Sequence, residues 1–430
     1  MDTRIQSLEG KKLNSSAAVA IPSSKSHTIR ALLIAAMADG NSRLINPLDS
    51  ADARSCIDAC RKFGALIDTS SSEDEMTVWT VKGSGGVSPP DINTIDVGNS
   101  GTTLYLAAGM AALAKTEVRF TGDNQIQNRP VKALLDALSD LGAEVSLPGA
   151  SGCPPFQLKG PLKGGETSIE CPTSQYLSSL LLCCPLAEGD SIINVPLLME
   201  RPYVEMTLRW LDSQGIEYTN EHFKRFTIPG RQRYRSFESR IPGDFSSAAF
   251  FLCAAAITGS RLTLEGLDVT DSQGDKAILD YLSQMGCNIE TGADSVTISG
   301  PARLKAACLD LNDTPDALPA MAVAACFAEG ESILHNVPQA RLKETDRIAV
   351  MRGELSKLGA EIKEREDGLI IRGGKQLKGC HIEGHEDHRV VMSLAIAALC
   401  AEGETVITGA EAVDITYPGF FEQLRLLTDG

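Results

Sequence analysis

Apolar positions along the chain recur in a fixed order. A nearly all-apolar, Ala-rich stretch of helix length comes first, then a short turn of small or acidic residues, then a β-branched strand pattern. The stretches begin at Arg30 (RALLIAAMADGNSRLIN), Leu106 (LAAGMAALAKTEVRFTG), Ser179 (SLLLCCPLAEGDSIINV), Phe250, Pro319 and Ser393. The later turns fall at Gly189, Gly259, Gly330 and Gly403, stepping by 70, 71 and 73 residues. A second, amphipathic helix follows in each copy and ends in a glycine. Gly64, Gly142, Gly215, Gly286 and Gly359 step by 78, 73, 71 and 73 residues. A Gly just past the last apolar turn is a helix stop. Six copies of one helix–strand–helix–strand unit are therefore predicted.

The sixth copy is short: after Gly403 only FFEQLRLLTDG remains as a second helix. The segment from Arg4 to Ile21 reads as strand with no helix of its own. An unpaired sheet edge favours completion by another strand, so the N-terminal strands are expected to complete the last unit. That predicts a discontinuous domain of residues 1–22 plus 242–430, and a second domain of residues 23–241, each with three units. Ile21-Pro22 and Ile241-Pro242-Gly243 would be the two connections.

Composition narrows the class. A chain of 430 residues, 43% hydrophobic and 5% aromatic, carries enough apolar mass for two cores and is not a disordered polymer. Its net charge of −16 argues against a nucleic-acid binder or a membrane-surface protein. The longest apolar run, Ala248 to Ile257, is ten residues, against about 18 for a membrane span. The start, MDTRIQSLEGKK, has no apolar secretory core. Twelve scattered cysteines without C-x-x-C read as reduced, small core residues of a cytoplasmic protein.

The polar clusters occupy one place in the repeat, the turn into the apolar helix. They are Ser24-Lys25-Ser26, Asn99-Ser100-Gly101-Thr102, Thr173-Ser174-Gln175, Asp244-Phe245-Ser246-Ser247, Pro315-Asp316 and Asp387-His388-Arg389. Each by itself reads as an ordinary helix cap. Six equivalent helix starts together form an anion-binding environment inside an acidic protein. Cations stand before other helices: Arg129-Pro130, Arg201-Pro202 and Lys343-Glu344-Thr345-Asp346-Arg347. A cation beside the positive end of a helix dipole needs an anion partner, either a protein carboxylate or a ligand. Lys25, Arg30, Arg129, Lys343, Arg347 and Arg389 suit a ligand with phosphates and carboxylates. His381, His385 and His388 lack a recognisable zinc spacing, and Gly83-Ser84-Gly85-Gly86 lacks the helix of a nucleotide loop.

These residues resemble the 5-enolpyruvylshikimate-3-phosphate synthase family over essentially the whole chain. The resemblance is carried by Pro22-Ser23-Ser24-Lys25-Ser26 with Arg30, Asn99-Ser100-Gly101-Thr102, Asn128-Arg129-Pro130 and Thr173-Ser174-Gln175. It continues through Arg201-Pro202-Tyr203, Pro315-Asp316, the KETDR run 343–347 and Asp387-His388-Arg389. It implies a two-domain α/β fold, an inside-out barrel with three βαβαββ-type units per domain and the active site in the interdomain cleft. The implied reaction transfers the enolpyruvyl group of phosphoenolpyruvate to the 5-hydroxyl of shikimate 3-phosphate, in the shikimate pathway that glyphosate blocks. By the same resemblance Lys25, Ser26, Arg30, Thr173, Ser174, Gln175, Tyr203, Asp316, Gln339 and Lys343 bind shikimate 3-phosphate. Lys25, Gly101, Arg129, Gln175, Arg347 and Arg389 hold phosphoenolpyruvate. Asp316 and Glu344 are the acid/base candidates, with Lys25 and His388 assisting.

No metal or organic cofactor is implied, and the expected state is a cytoplasmic monomer acting on small molecules, without nucleic acid or membrane. Tyr105, Glu200, Gln339 and Ile415 depart from common family residues, Arg, Ser, Asn and Lys respectively. Two alternatives differ in class. The enolpyruvyl transferase acting on UDP-N-acetylglucosamine shares the repeat, but carries a cysteine in the loop matching Asp123 to Asn128, where this chain has none. A non-catalytic repeat scaffold needs no Lys, Glu and Arg gathered in one place.

Overall fold

The computed structural model describes residues 1–14, 18–73, 76–87, 94–149 and 151–428. The chain folds into two compact units, Ser23–Pro242 and Met1–Pro22 with Gly243–Gly430. In Ser23–Pro242 three four-stranded sheets repeat one topology. Their strand orders are Glu238–Arg240, Asn41–Ile45, Met76–Lys82, Leu66–Glu73; then Thr94–Asp96, Val118–Thr121, Phe156–Lys159, Glu144–Ser146; then Gly165–Cys171, Ser191–Leu198, Arg225–Ile228, Thr219–Glu221. In each the first pair is parallel and the other two pairs are antiparallel. In the second and third sheets a helix crossover produces the parallel pair, and in all three a hairpin produces the last antiparallel pair.

The other unit repeats this order twice in full, beginning with Val19–Ala20 beside Arg261–Glu265 and with Cys308–Asp310 beside Glu331–His335. Its third sheet has three strands: His381–Glu383, Glu404–Thr408 and, antiparallel to the latter, Asp2–Gln6. The first N-terminal strand thus pairs into the sixth repeat, whose sheet among the described residues still has three strands against four in the other repeats. The second N-terminal strand does not. Val19–Ala20 pairs with Glu265 and Leu264 and leads the fourth sheet, because that repeat lacks a strand of its own ahead of its first helix.

The apolar helices are buried all round. Phe245–Thr258 is buried from Phe245 to Ala256, and every residue of Leu318–Cys326 is buried. The second helices bury one face: Lys132–Asp140 buries Leu134, Leu135, Ala137 and Leu138. The helix stops at Gly64, Gly142, Gly215, Gly286 and Gly359 all adopt positive φ, between 66° and 102°. Gly189 does not; there the 3₁₀ turn Cys184–Leu186 ends the helix instead.

Gly109 controls how closely two apolar helices approach. A Cβ there would lie 2.6 Å from Ser179 Oγ and 2.8 Å from the Ser179 carbonyl. Without it, helices Gly101–Ala111 and Ser174–Cys183 touch, and Ser179 Oγ donates to the Tyr105 carbonyl at 2.7 Å. No disulfide joins any of the twelve cysteines, and nine of them are buried. Burial pushes the Cys171 and Cys326 thiols up to about 12, which makes them unreactive core residues. Among the described residues no helix is long and apolar enough to cross a membrane.

Candidate active site

In the Ser23–Pro242 unit, caps and ligand candidates are different residues at the turns of Ser24 and Ser100, and coincide at Thr173. Ser24, Ser100 and Thr173 accept from His27 N, Thr103 N and Gln175 N at 3.4, 3.2 and 3.4 Å. Capping is thereby done by these side chains, and the residues after them carry the remaining polar groups. Lys25 Nζ lies 3.1 Å from Asp52 Oδ2, with both side chains largely buried. Gln175 Nε2 donates to Thr102 Oγ1 at 2.9 Å and ties two helix starts together. Asp52 escaped sequence reasoning because an acidic residue in the first turn after a Ser cap is ordinary helix chemistry.

Arg30 is 1% exposed and lies deeper than a surface ligand group. Its Nε donates to Thr207 Oγ1 at 2.8 Å, Nη1 to the Ser26 carbonyl at 3.1 Å, and Nη2 to the Tyr203 carbonyl at 3.2 Å and Ser178 Oγ at 3.4 Å. Burial pulls its pKa down to about 10, with Tyr203 opposing, so it stays cationic at neutral pH. Its bonds join the segment carrying Ser26 to the one carrying Tyr203.

The Arg129 guanidinium lies over Gly101: a Cβ there would sit 3.5 Å from Cζ. The Arg129-Pro130 turn is anchored from below. Tyr105 and Tyr176 both donate to the Pro130 carbonyl, at 3.1 and 2.5 Å, and their rings meet edge-on at 5.2 Å. Tyr105 thus supplies position where a family Arg would supply charge. Glu200, at the head of helix Arg201–Ser213, is turned to the Thr173-Ser174 start. Arg201 pairs with Glu205 at 2.9 Å and stacks 4.1 Å over Phe223.

In the other unit three helix starts converge on one arginine. Arg389 Nη2 lies 2.9 Å from Asp316 Oδ2 and donates to Ser246 Oγ at 2.9 Å. Ser246, Asp316 and Arg389 belong to the starts of the three apolar helices of this unit. Arg347, 1% exposed, is surrounded by carboxylates. Nη1 donates to Asp316 Oδ1 at 2.7 Å, Nη2 to Glu344 Oε2 at 2.5 Å, and Nε to Asp387 Oδ2 at 2.8 Å. The anion that a cation at a helix start requires is therefore supplied by the protein here. Thr345 Oγ1 also donates to Asp387 Oδ2, at 3.1 Å, so KETDR and DHR form one network.

Charge balance in this network decides protonation. Burial pushes the Asp316 carboxyl up, but Arg389, Lys343 and Arg347 outweigh it and hold it well below the usual carboxylate range. Arg347 in turn is held above its ordinary value: Asp387, Glu344 and Asp316 outweigh its burial. Asp316 is consequently an acceptor at neutral pH. His388 is buried at the first position of helix His388–Ala398. Gln339 is 2% exposed; its Nε2 donates to the Asn312 carbonyl at 2.8 Å, while Oε1 is buried without a hydrogen bond. Ile415 is half-buried and packs against this unit's core. His385 Nε2 lies 2.9 Å from the accepting Glu354 Oε1 and stands apart from the network.

Comparisons with known proteins agree along nearly the whole chain. The family model for EPSP synthase (3-phosphoshikimate 1-carboxyvinyltransferase) matches residues 9–424. A 3-phosphoshikimate 1-carboxyvinyltransferase of Ruminiclostridium cellulolyticum is 50% identical over 418 residues, 97% of each chain. One of Acetivibrio thermocellus is 52% identical over 413 residues, 96% of each. A solved structure of EPSP synthase from Acinetobacter baumannii superposes with a TM-score of 0.80 at 29% identity, covering 99% of this chain and 98% of that one. With KETDR and DHR drawn into one network around Arg347, and this similarity spanning both units, the chain belongs to the EPSP synthase family.

Proposed function

We propose that this chain transfers the enolpyruvyl group of phosphoenolpyruvate to the 5-hydroxyl of shikimate 3-phosphate and releases phosphate. The observation that carries this is the Arg347 network. One buried guanidinium holds Asp316, Glu344 and Asp387, and Arg389 adds a second cation on Asp316. Addition needs a proton on the methylene carbon of phosphoenolpyruvate and loss of the proton from the attacking hydroxyl. The new C–O bond then gives a tetrahedral intermediate. Elimination removes a proton from the methyl carbon, breaks the bond to phosphate oxygen and restores the double bond. These steps need an acceptor, a proton carrier and fixed cations.

Asp316, held ionised by its cations, orients and accepts from the 5-hydroxyl. Glu344 carries the proton to and from the substrate carbon, with Lys25 and His388 assisting. Lys25, Gly101, Arg129, Gln175, Arg347 and Arg389 hold phosphoenolpyruvate. Lys25, Ser26, Thr173, Ser174, Gln175, Tyr203, Asp316, Gln339 and Lys343 hold shikimate 3-phosphate. Arg30, bonded to the carbonyls of Ser26 and Tyr203, positions that set from beneath. The test is phosphate release with both substrates. Release that requires both supports the assignment, whereas release with a UDP-amino sugar in place of shikimate 3-phosphate overturns it.

A further inference from the structure

Helix Arg201–Ser213 begins behind a residue that does not cap it. Glu200 stands at the N-cap with φ 57° and ψ 41°, in the left-handed region that is strained for a residue with a Cβ, and its side chain makes no capping bond to that helix. It is 2% exposed. Its Oε2 accepts from Ser174 N at 3.1 Å, Ser174 Oγ at 2.9 Å and Thr173 Oγ1 at 3.2 Å. Those donors are the start of helix Ser174–Cys183. An amide and two hydroxyls converging at a helix N-terminus make a seat for an oxyanion. Here the chain seats its own carboxylate.

We propose that Glu200 is an internal occupant of the seat for the substrate's phosphate, and that it sets affinity for the phosphorylated substrate by having to leave. This rests on the function proposed above, which places Thr173 and Ser174 on shikimate 3-phosphate. A carboxylate and a phosphate dianion on the same three donors repel each other a few ångströms apart. The dianion, with more charge and three terminal oxygens, takes the donors in exchange. Glu200 is then a specificity-determining residue: weaker anions leave it in place, and a phosphate monoester displaces it.

Calorimetric titration separates this from a structural role. Shikimate 3-phosphate and shikimate, the same ring without phosphate, are titrated into wild type, Glu200→Gln and Glu200→Gly. Gln keeps the shape without the charge, and Gly suits the positive φ, so at least one variant retains the fold, as melting temperature reports. Both variants should tighten shikimate 3-phosphate about tenfold, as expected when a competing charged hydrogen-bond acceptor is removed. Shikimate should change less than twofold. Unchanged or weaker shikimate 3-phosphate binding in folded variants overturns the inference alone, as does an equal shift for both ligands. A wild type that binds no shikimate 3-phosphate and releases no phosphate overturns the functional proposal, and this inference with it.

Discussion

Arg347 and Asp387 form a two-point ion pair: Nε to Oδ2 at 2.8 Å and Nη2 to Oδ1 at 3.1 Å, with side chains 1% and 0% exposed. The same carboxylate caps the following helix, accepting from Arg389 N at 2.9 Å. One side chain therefore pairs with the Arg347 guanidinium and fixes the helix start that carries Arg389. Burial raises the Asp387 carboxyl, yet Arg347 outweighs it and the folded pKa lies below its usual value. Asp316 is shifted the same way. A depressed carboxylate pKa adds stability above the unfolded value, about 4, and that stability is lost as pH falls further through the folded pKa. Denaturant melts should show a plateau at neutral pH and a decline below about pH 4. Asp387→Asn should cost about 3–5 kcal/mol at pH 7, because it leaves a buried guanidinium underpaired. It should also flatten the acid decline.

Glu344→Gln keeps the shape and a hydrogen bond to Arg347 while removing the ionisable group. If Glu344 carries the proton, kcat falls about 10²-fold or more with little change in KM. Near-normal turnover would remove Glu344 from that role.

Arg129 and Gly101 make a paired prediction. Arg129→Ala deletes a charge contact to the bound substrate and should raise KM for phosphoenolpyruvate about tenfold or more. At Gly101 an added methyl meets the guanidinium carbon at 3.5 Å, an ordinary contact, so Gly101→Ala should fold with an unchanged melting temperature. Its methyl still fills space in front of Arg129, and KM for phosphoenolpyruvate should rise. A melting loss of many degrees with unchanged KM would show that this glycine serves packing alone.

Ile415 stands where many relatives have Lys, and the residue's environment decides what that means. Because Ile415 packs against the core, Ile415→Lys should lower stability by about 1 kcal/mol, the long stem reaching water and limiting the loss. KM for phosphoenolpyruvate should not change. A tenfold lower KM with unchanged melting would mean the variant ammonium reaches the substrate.

Much of the architecture was legible because it is written locally. Helix stops at Gly142 or Gly286 need only the one residue whose backbone turns left-handed, and nearly all-apolar helices such as Phe245–Thr258 announce burial by composition. The pairing of Asp2–Gln6 into the last sheet followed from counting strands against helices. The assignment of Val19–Ala20 to the fourth sheet did not, since a two-residue strand has too little pattern to specify its neighbour.

The candidate site divides along the same line. Its residue types and their place at helix starts were readable one by one, because caps and charges follow chain order. Pairings across 31 and 40 residues, Arg347 with Asp316 and with Asp387, depended on which helix starts the packing brought together. So did Lys25 with Asp52, the two tyrosines on the Pro130 carbonyl, and Glu200 on a helix other than its own. The sequence by itself determined six repeats, their caps and a set of cations. Only the tertiary structure decided which cations the protein neutralises, because a buried charge takes its partner from whatever the fold places within hydrogen-bond reach, and sequence separation does not limit that distance.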